Sequence, residues 1–247
     1  MTQQIDAIFF DLGATLRILH KDNAYQKKAR EMLAELAETD LSPEEFLTLV
    51  EKRYEPYRNW ALTENRESGD EELWKKWLIP EYSAELIQKN CHKLSYWYRQ
   101  TKGVRFVVDH GIEVIHTLHD RGYKLGIISN LIGETEIPDW IEADNLRAYF
   151  DCVVLSSICH IRKPDPEIYH IACRELNIQP ENCASVADNL DRDITGARAV
   201  KLGACILFYS PEKKKPLILT NENRPDCIIQ NFMELLDLFP QREGALQ

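Results

Sequence analysis

Six short apolar runs set the folding problem for this chain. Ala7–Phe10, Leu125–Ile128, Cys152–Leu155, Cys183–Val186, Cys205–Phe208 and Cys227–Ile229 are β-rich and continuous rather than alternating. That pattern is what strands buried on both faces require. Amphipathic segments separate the later runs. Gly111–Arg121 places Ile112, Val114, Ile115 and Leu118 on one side, and Pro166–Leu176 does the same with Ile168, Ile171, Ala172 and Leu176. Asp165 suits the N-cap of the second helix and Pro166 its first turn. Strand–helix–strand alternation predicts a parallel sheet covered by helices on both faces, an α/β fold.

The first run ends at Phe10 and the second begins at Leu125, too long a gap for one crossover. The intervening text is helical in character: Lys27–Ala37, Pro43–Arg53, Glu71–Trp77 and Ala84–Arg99, with Ser42-Pro43 a cap-then-proline start. Four of the five tryptophans, Trp60, Trp74, Trp77 and Trp97, fall inside it. We therefore expect a helical domain over residues 19–104, inserted into a core formed by residues 1–18 and 105–247. Tyr54, Tyr57, Trp60, Trp74 and Trp77 read mostly as the core of the insertion. The run Pro211-Glu212-Lys213-Lys214-Lys215-Pro216 reads as a solvated loop.

With 247 residues, 44% of them hydrophobic, the chain can build a full core. Its formal charge of -10 argues against nonspecific binding to nucleic acid or to an anionic membrane, which need a basic face. No stretch reaches the roughly 18 to 20 apolar residues of a membrane span, and the first residues do not resemble a signal peptide. The seven cysteines are scattered, odd in number and without a Cys-x-x-Cys pair. Free thiols in a cytoplasmic setting are expected. His116 and His119 lie three apart, but the seven histidines show no metal-binding spacing.

Ligands of parallel α/β sheets gather at the carboxyl ends of the strands. Asp11, Ser129, Asn130 and Asp188 follow or end such strands, and Lys163 lies in the loop after the third. Thr15 follows Asp11 by four residues. A carboxylate at Asp11 can attack phosphorus, dividing one displacement into two easier ones. Asp11, Asp188 and Asp193 offer hard oxygen ligands suited to Mg²⁺, with Asp191 an alternative to Asp193. Lys163 adds a fixed positive charge, and the Ser129 hydroxyl a hydrogen bond, toward phosphoryl oxygens. Arg17, Arg53, Arg58 and Arg66 are long enough to reach a substrate, although a solvated face suits each as well. Asn189 suits either a turn or a partner for Lys163.

Together, Phe9-Phe10-Asp11, Ser129-Asn130, Lys163-Pro164-Asp165-Pro166-Glu167-Ile168-Tyr169 and Ala187-Asp188 through Asp193-Ile194-Thr195-Gly196-Ala197 resemble the haloacid dehalogenase-like hydrolase superfamily. The resemblance covers nearly the whole chain, including Arg224-Pro225-Asp226 and Leu235-Leu236 near its end. It implies a Rossmann-like core with an inserted all-helical cap that selects substrate. It implies Asp11 as nucleophile and Lys163 as its catalytic partner. Thr15, Arg17, Ser129, Asn130 and Lys163 become substrate contacts; Asp11, Asp188, Asp193 and the Gly13 carbonyl become Mg²⁺ ligands. Phosphatases of this kind usually carry a second aspartate two residues after the nucleophile, as acid and base. This chain has Gly13 there, and general acid–base help is typically worth about 10²–10⁴ in rate. Dehalogenases of the superfamily usually have a non-acidic residue at the position of Asp188 and a tyrosine at that of Gly13, so Asp188 with Asp193 favours phosphate chemistry. The expected partner is a small phosphorylated metabolite, met by a monomer or homodimer. A binding protein that kept the site without turnover is the further alternative.

Overall fold

The computed structural model describes residues 4–210 and 216–242; the lysine run 213–215 lies outside them. The chain opens with β1 (Ala7–Phe10) and, after a tight loop, β2 (Arg17–His20). Helices α1 (Asn23–Leu36) and α2 (Pro43–Glu64) follow. A short α3 (Asp70–Glu72) then runs into a π-helical turn at Leu73–Leu78, and α4 (Ala84–Gln100) follows. Next come β3 (Val104–Val107), α5 (Gly111–Asp120), β4 (Lys124–Ser129), α6 (Glu136–Ala143), β5 (Cys152–Leu155), α7 (Ser156–Cys159) and α8 (Glu167–Leu176). β6 (Cys183–Ala187), a π-helical turn at Leu190–Ile194, α9 (Thr195–Ala199), β7 (Ala204–Phe208), β8 (Cys227–Ile229) and α10 (Leu235–Leu238) complete the order.

All six expected apolar runs join one parallel sheet in the order β5-β4-β1-β6-β7-β8. β1, β4, β6 and β7 are buried along almost their whole length, as continuous apolar runs require. Successive strands extend first to one side of β1 and then, from β6, to the other. The order therefore reverses between β1 and β6, where parallel sheets bind ligands. One apolar cluster packs on each sheet face: Phe10, Leu125 and Ile206 point into the first, and Phe9, Ile128 and Leu207 into the second.

The named elements between β2 and β3 are all helical, with their own cluster around Leu33, Phe46, Tyr57, Trp74 and Leu94. Ser42 forms a reciprocal cap with Glu45, as its place before Pro43 suggests. α2 continues through Pro56 to Glu64, well beyond the expected end at Arg53. β2 and β3, an antiparallel pair joining this block to the core, were not among the six runs. Their charged residues and partial exposure hide them from an apolar-run reading. α6, after β4, was likewise not anticipated. Asp165 accepts the Glu167 N–H, but Pro166 rather than Asp165 is the N-cap of α8. All seven cysteines are free. Among the described residues no helix is long and apolar enough to cross a membrane.

Candidate active site

Asp11 follows β1, and its N–H donates to Val186 O of β6 at 3.0 Å. The next residues turn back sharply: the N–H groups of Thr15 and Arg17 both donate to Leu12 O, and that of Leu16 to Asp11 O. The turn brings the Thr15 hydroxyl to 3.4 Å from Asp11 Oδ2. Asp11, Thr15, Ser129 and Lys163 are all buried. Ser129 is the last residue of β4, and Asp188 directly follows β6.

Lys163 reaches the centre from the loop between α7 and α8. Its Nζ lies 2.7 Å from Asp11 Oδ1 and 2.6 Å from Asp193 Oδ1, and it donates to Ile128 O at 2.7 Å. Asn130 holds the lysine backbone at both ends: Lys163 N donates to Asn130 Oδ1 and Asn130 Nδ2 to Lys163 O, each at 2.8 Å. The Asn130 side chain thus places Lys163. Asn189, considered for that positioning, instead caps the π-helical turn by accepting the Arg192 N–H.

That turn carries the remaining acids. The Asp193 carbonyl accepts the Tyr169 hydroxyl at 2.9 Å, fixing the turn to α8. Gly196 permits this closeness, because a Cβ there would lie 2.8 Å from the Tyr169 ring and 3.1 Å from Pro164 O. Oxygens of Asp11, Asp188 and Asp193 lie within 4.8 Å of one another. Asp191 is turned away and accepts a hydrogen bond from Asn223 at 3.3 Å, so Asp193 is the residue in this group. Three carboxylates and no sulfur or imidazole form a donor set that fits Mg²⁺. Gly13 is exposed, and a Cβ built on it meets nothing within 4 Å.

Arg192 completes the cluster. Its Nη2 lies 2.8 Å from Asp193 Oδ2, 3.6 Å from Asp188 Oδ1 and 3.8 Å from Asp11 Oδ2. Burial pushes the Asp11 carboxyl above its usual range and the Asp193 charge adds to this, against the pull of Lys163 and Arg192. Burial acts upward on Asp193 too, but Lys163 and Arg192 outweigh it and hold Asp193 low. Arg192 had no expected role; its only signal was its place between Asp191 and Asp193.

Arg17 does not join this group. Its Nη1 is 3.0 Å from Glu136 Oε1, and its guanidinium stacks 4.7 Å from the Trp140 ring centre. β2 carries Arg17 toward α6. Arg53 pairs with Glu81, and Arg66 with Asp165 of the core. His116 and His119 pack on Tyr149. Two junctions between the helical block and the core were not anticipated. Buried Glu67 accepts from Tyr57, Ser156 and Arg162. Asp70 accepts from the Glu134 N–H and pairs with His92.

A family model for haloacid dehalogenase-like hydrolases matches residues 5–201. Over 162 residues the chain is 36% identical to haloacid dehalogenase-like hydrolase domain-containing protein 3 of Bos taurus, covering 66% of this chain and 60% of the bovine protein. It is 27% identical over 242 residues to a glyceraldehyde 3-phosphate phosphatase of Methanopyrus kandleri, covering 95% and 97% of the two chains. In fold it resembles a 2-haloacid dehalogenase from Pseudomonas syringae pv. Tomato DC3000, with a TM-score of 0.68, 19% identity and coverage of 95% and 98%.

Proposed function

The chain belongs to the haloacid dehalogenase-like hydrolases, and from that premise we propose that it is a Mg²⁺-dependent phosphatase of small phosphorylated metabolites. The observation that carries this reading is Lys163 Nζ, held between Asp11 and Asp193 while Asp188 lies in the same group. A nucleophile, a fixed cation and a hard-oxygen ligand set thus share one strand edge. The full-length likeness to a protein named glyceraldehyde 3-phosphate phosphatase supports attack on phosphorus over displacement of halide from carbon.

Asp11 attacks phosphorus, the bond to the ester oxygen breaks, and the alcohol oxygen leaves with the bonding pair. Water then attacks phosphorus of the aspartyl-phosphate, releasing inorganic phosphate and the Asp11 carboxylate. Lys163 stabilises phosphoryl charge as it builds, and Thr15 fixes the second Asp11 oxygen. Ser129 supplies a hydroxyl at the same edge. Asp11, Asp188, Asp193 and the Gly13 carbonyl would hold Mg²⁺, which neutralises phosphoryl oxygens when bound. Gly13 has no proton to give, so leaving groups that need little protonation should be preferred. The helical block over residues 19–104 acts as a cap, fastened to the core through Glu67 and Asp70.

The test is phosphate release from a panel of acyl, aryl, anomeric and alkyl phosphates with and without Mg²⁺, beside Asp11→Asn. Metal-dependent release by the wild type and none by the variant is expected. Halide release from haloacids without phosphate release would place the chain with the dehalogenases, and neither activity would support a binding protein.

A further inference from the structure

Arg192 lies where the expected divalent cation would have to compete for ligands. One nitrogen, Nη2, faces Asp193, Asp188 and Asp11 at 2.8, 3.6 and 3.8 Å, and Nε adds a second contact to Asp193 at 3.2 Å. Mg²⁺ binds oxygen at about 2.0–2.1 Å and demands near-octahedral geometry. An ion in reach of the three carboxylates and a guanidinium nitrogen at these distances occupy the same space. We propose that Arg192 is the resident cation of this cluster, and that a divalent ion binds only by displacing it. This rests on the reading above, in which Asp11, Asp188 and Asp193 are the metal ligands.

The charges agree with a competition. Three carboxylates face Lys163 and Arg192, which leaves one formal negative charge; without Arg192 the cluster carries two, matched to a divalent ion. Of the two cations, Arg192 is the one with a path to solvent. The Lys163 side chain is 2% exposed and pinned to Asp11, Asp193 and Ile128 O, whereas that of Arg192 is 32% exposed. It can swing toward solvent when a divalent ion takes over the carboxylates that it leaves. The backbone directs it inward: the Asn189 cap and the π-helical turn place Arg192 four residues from Asp188 and beside Asp193. An arginine here leaves the site with a single negative charge at rest, so metal occupancy is set by competition with the guanidinium. A phosphate dianion, once present, offers the displaced guanidinium a second partner.

The test is calorimetric titration of Mg²⁺ alone into the wild type, Arg192→Ala and the near-isosteric Arg192→Gln, with Asp188→Asn as control. Thermal melts with and without Mg²⁺ accompany it. Both Arg192 variants should bind Mg²⁺ tighter than wild type by about tenfold or more, the scale of removing one adjacent like charge at a partly exposed site. Without metal they should melt lower than wild type, and saturating Mg²⁺ should close that gap. Asp188→Asn should bind weakly. Equal or weaker Mg²⁺ binding by both Arg192 variants, with wild type binding normally, would overturn the competition and leave the metal reading standing. Absence of binding by wild type and both variants would remove the metal reading and this inference with it.

Discussion

Two buried ion clusters lie on either side of the tight loop after β1, and they are unbalanced in opposite directions. At the strand edge, three carboxylates face Lys163 and Arg192. At the base of the helical block a single carboxylate, Glu136 of α6, is bonded by Arg17 and Arg99, and Arg105 acts on it as well. Burial works to raise the Glu136 carboxyl, but Arg99, Arg105 and Arg17 overcome it and hold it at about 2. Asp11 moves upward, because burial and Asp193 prevail over its cations. A cluster short of positive charge is suited to take in a cation together with an anionic substrate. A cluster with surplus arginine keeps its acid ionised well below the usual carboxylate range and joins the elements that carry it. Glu136 ties α4 to α6 in this way through Arg99.

Removing the cation that the strand-edge cluster can least replace should have the largest effect. Lys163→Met leaves Asp11 and Asp193 with Arg192 alone, and kcat should fall about 10³-fold or more, the scale of losing a preorganised electrostatic partner. Steady-state phosphate release checks this; activity within tenfold of wild type would remove Lys163 from the chemistry.

At the joint, Glu136→Gln strands three arginines and should cost about 3–5 kcal/mol in urea unfolding. Its pH dependence has a definite sign. A carboxyl depressed from its ordinary range to about 2 stabilises fully above pH ~4.5, and that contribution is lost as pH falls toward 2. Acid unfolding of the wild type should steepen in this window, and Glu136→Gln should lack that component. A variant as stable as wild type would mean that the two clusters do not differ as described.

Gly13→Asp should raise turnover of alkyl phosphates by about 10²-fold, the low end of general-acid effects. A Cβ at Gly13 meets nothing within 4 Å, so the backbone there accepts a side chain. The smallest effect concerns the other junction. The hydrogen bond to Asp70 raises His92 above its ordinary range, with Glu134 adding to it. Protonated His92 therefore contributes fully below pH ~6.5, and the contribution fades as pH rises through its raised value. Melting temperature should fall slightly more from pH 6 to pH 8 in wild type than in His92→Gln, where Asp70 and Glu134 remain but the titrating partner is gone. Identical slopes would show that His92 does not couple there.

Much of this was legible in the sequence. The six strands announced themselves because burial on both faces demands continuous apolar text. Asp11, Ser129, Lys163 and Asp188 could be grouped because parallel topology brings strand ends together. What stayed hidden depends on side-chain pairing at long separation. Arg17 was grouped with Arg53, Arg58 and Arg66 as long enough to reach a substrate, and its pairing with Glu136, 119 residues away, was not foreseen. Glu67 and Arg162 are 95 apart. Of two asparagines near the lysine loop, Asn130 holds it and Asn189 does not, a distinction that needs the direction of each side chain. Arg192 was hidden for another reason: a π-helical turn does not follow the 3.6-residue period by which faces are assigned.

The most direct test of a two-step reaction through Asp11 without a general base is rapid-quench kinetics with p-nitrophenyl phosphate and Mg²⁺. This leaving group needs no proton donor, so the first step should be fast, while hydrolysis of the aspartyl-phosphate lacks help at Gly13. A burst of p-nitrophenol close to one equivalent per active site should precede a slower steady state, with Asp11 phosphorylated in the quenched protein. Gly13→Asp should abolish the burst by speeding the second step. Linear release from the first turnover, with no phosphate on Asp11 and alkyl phosphates hydrolysed at an ordinary enzymatic rate of about 10 s⁻¹, would contradict it.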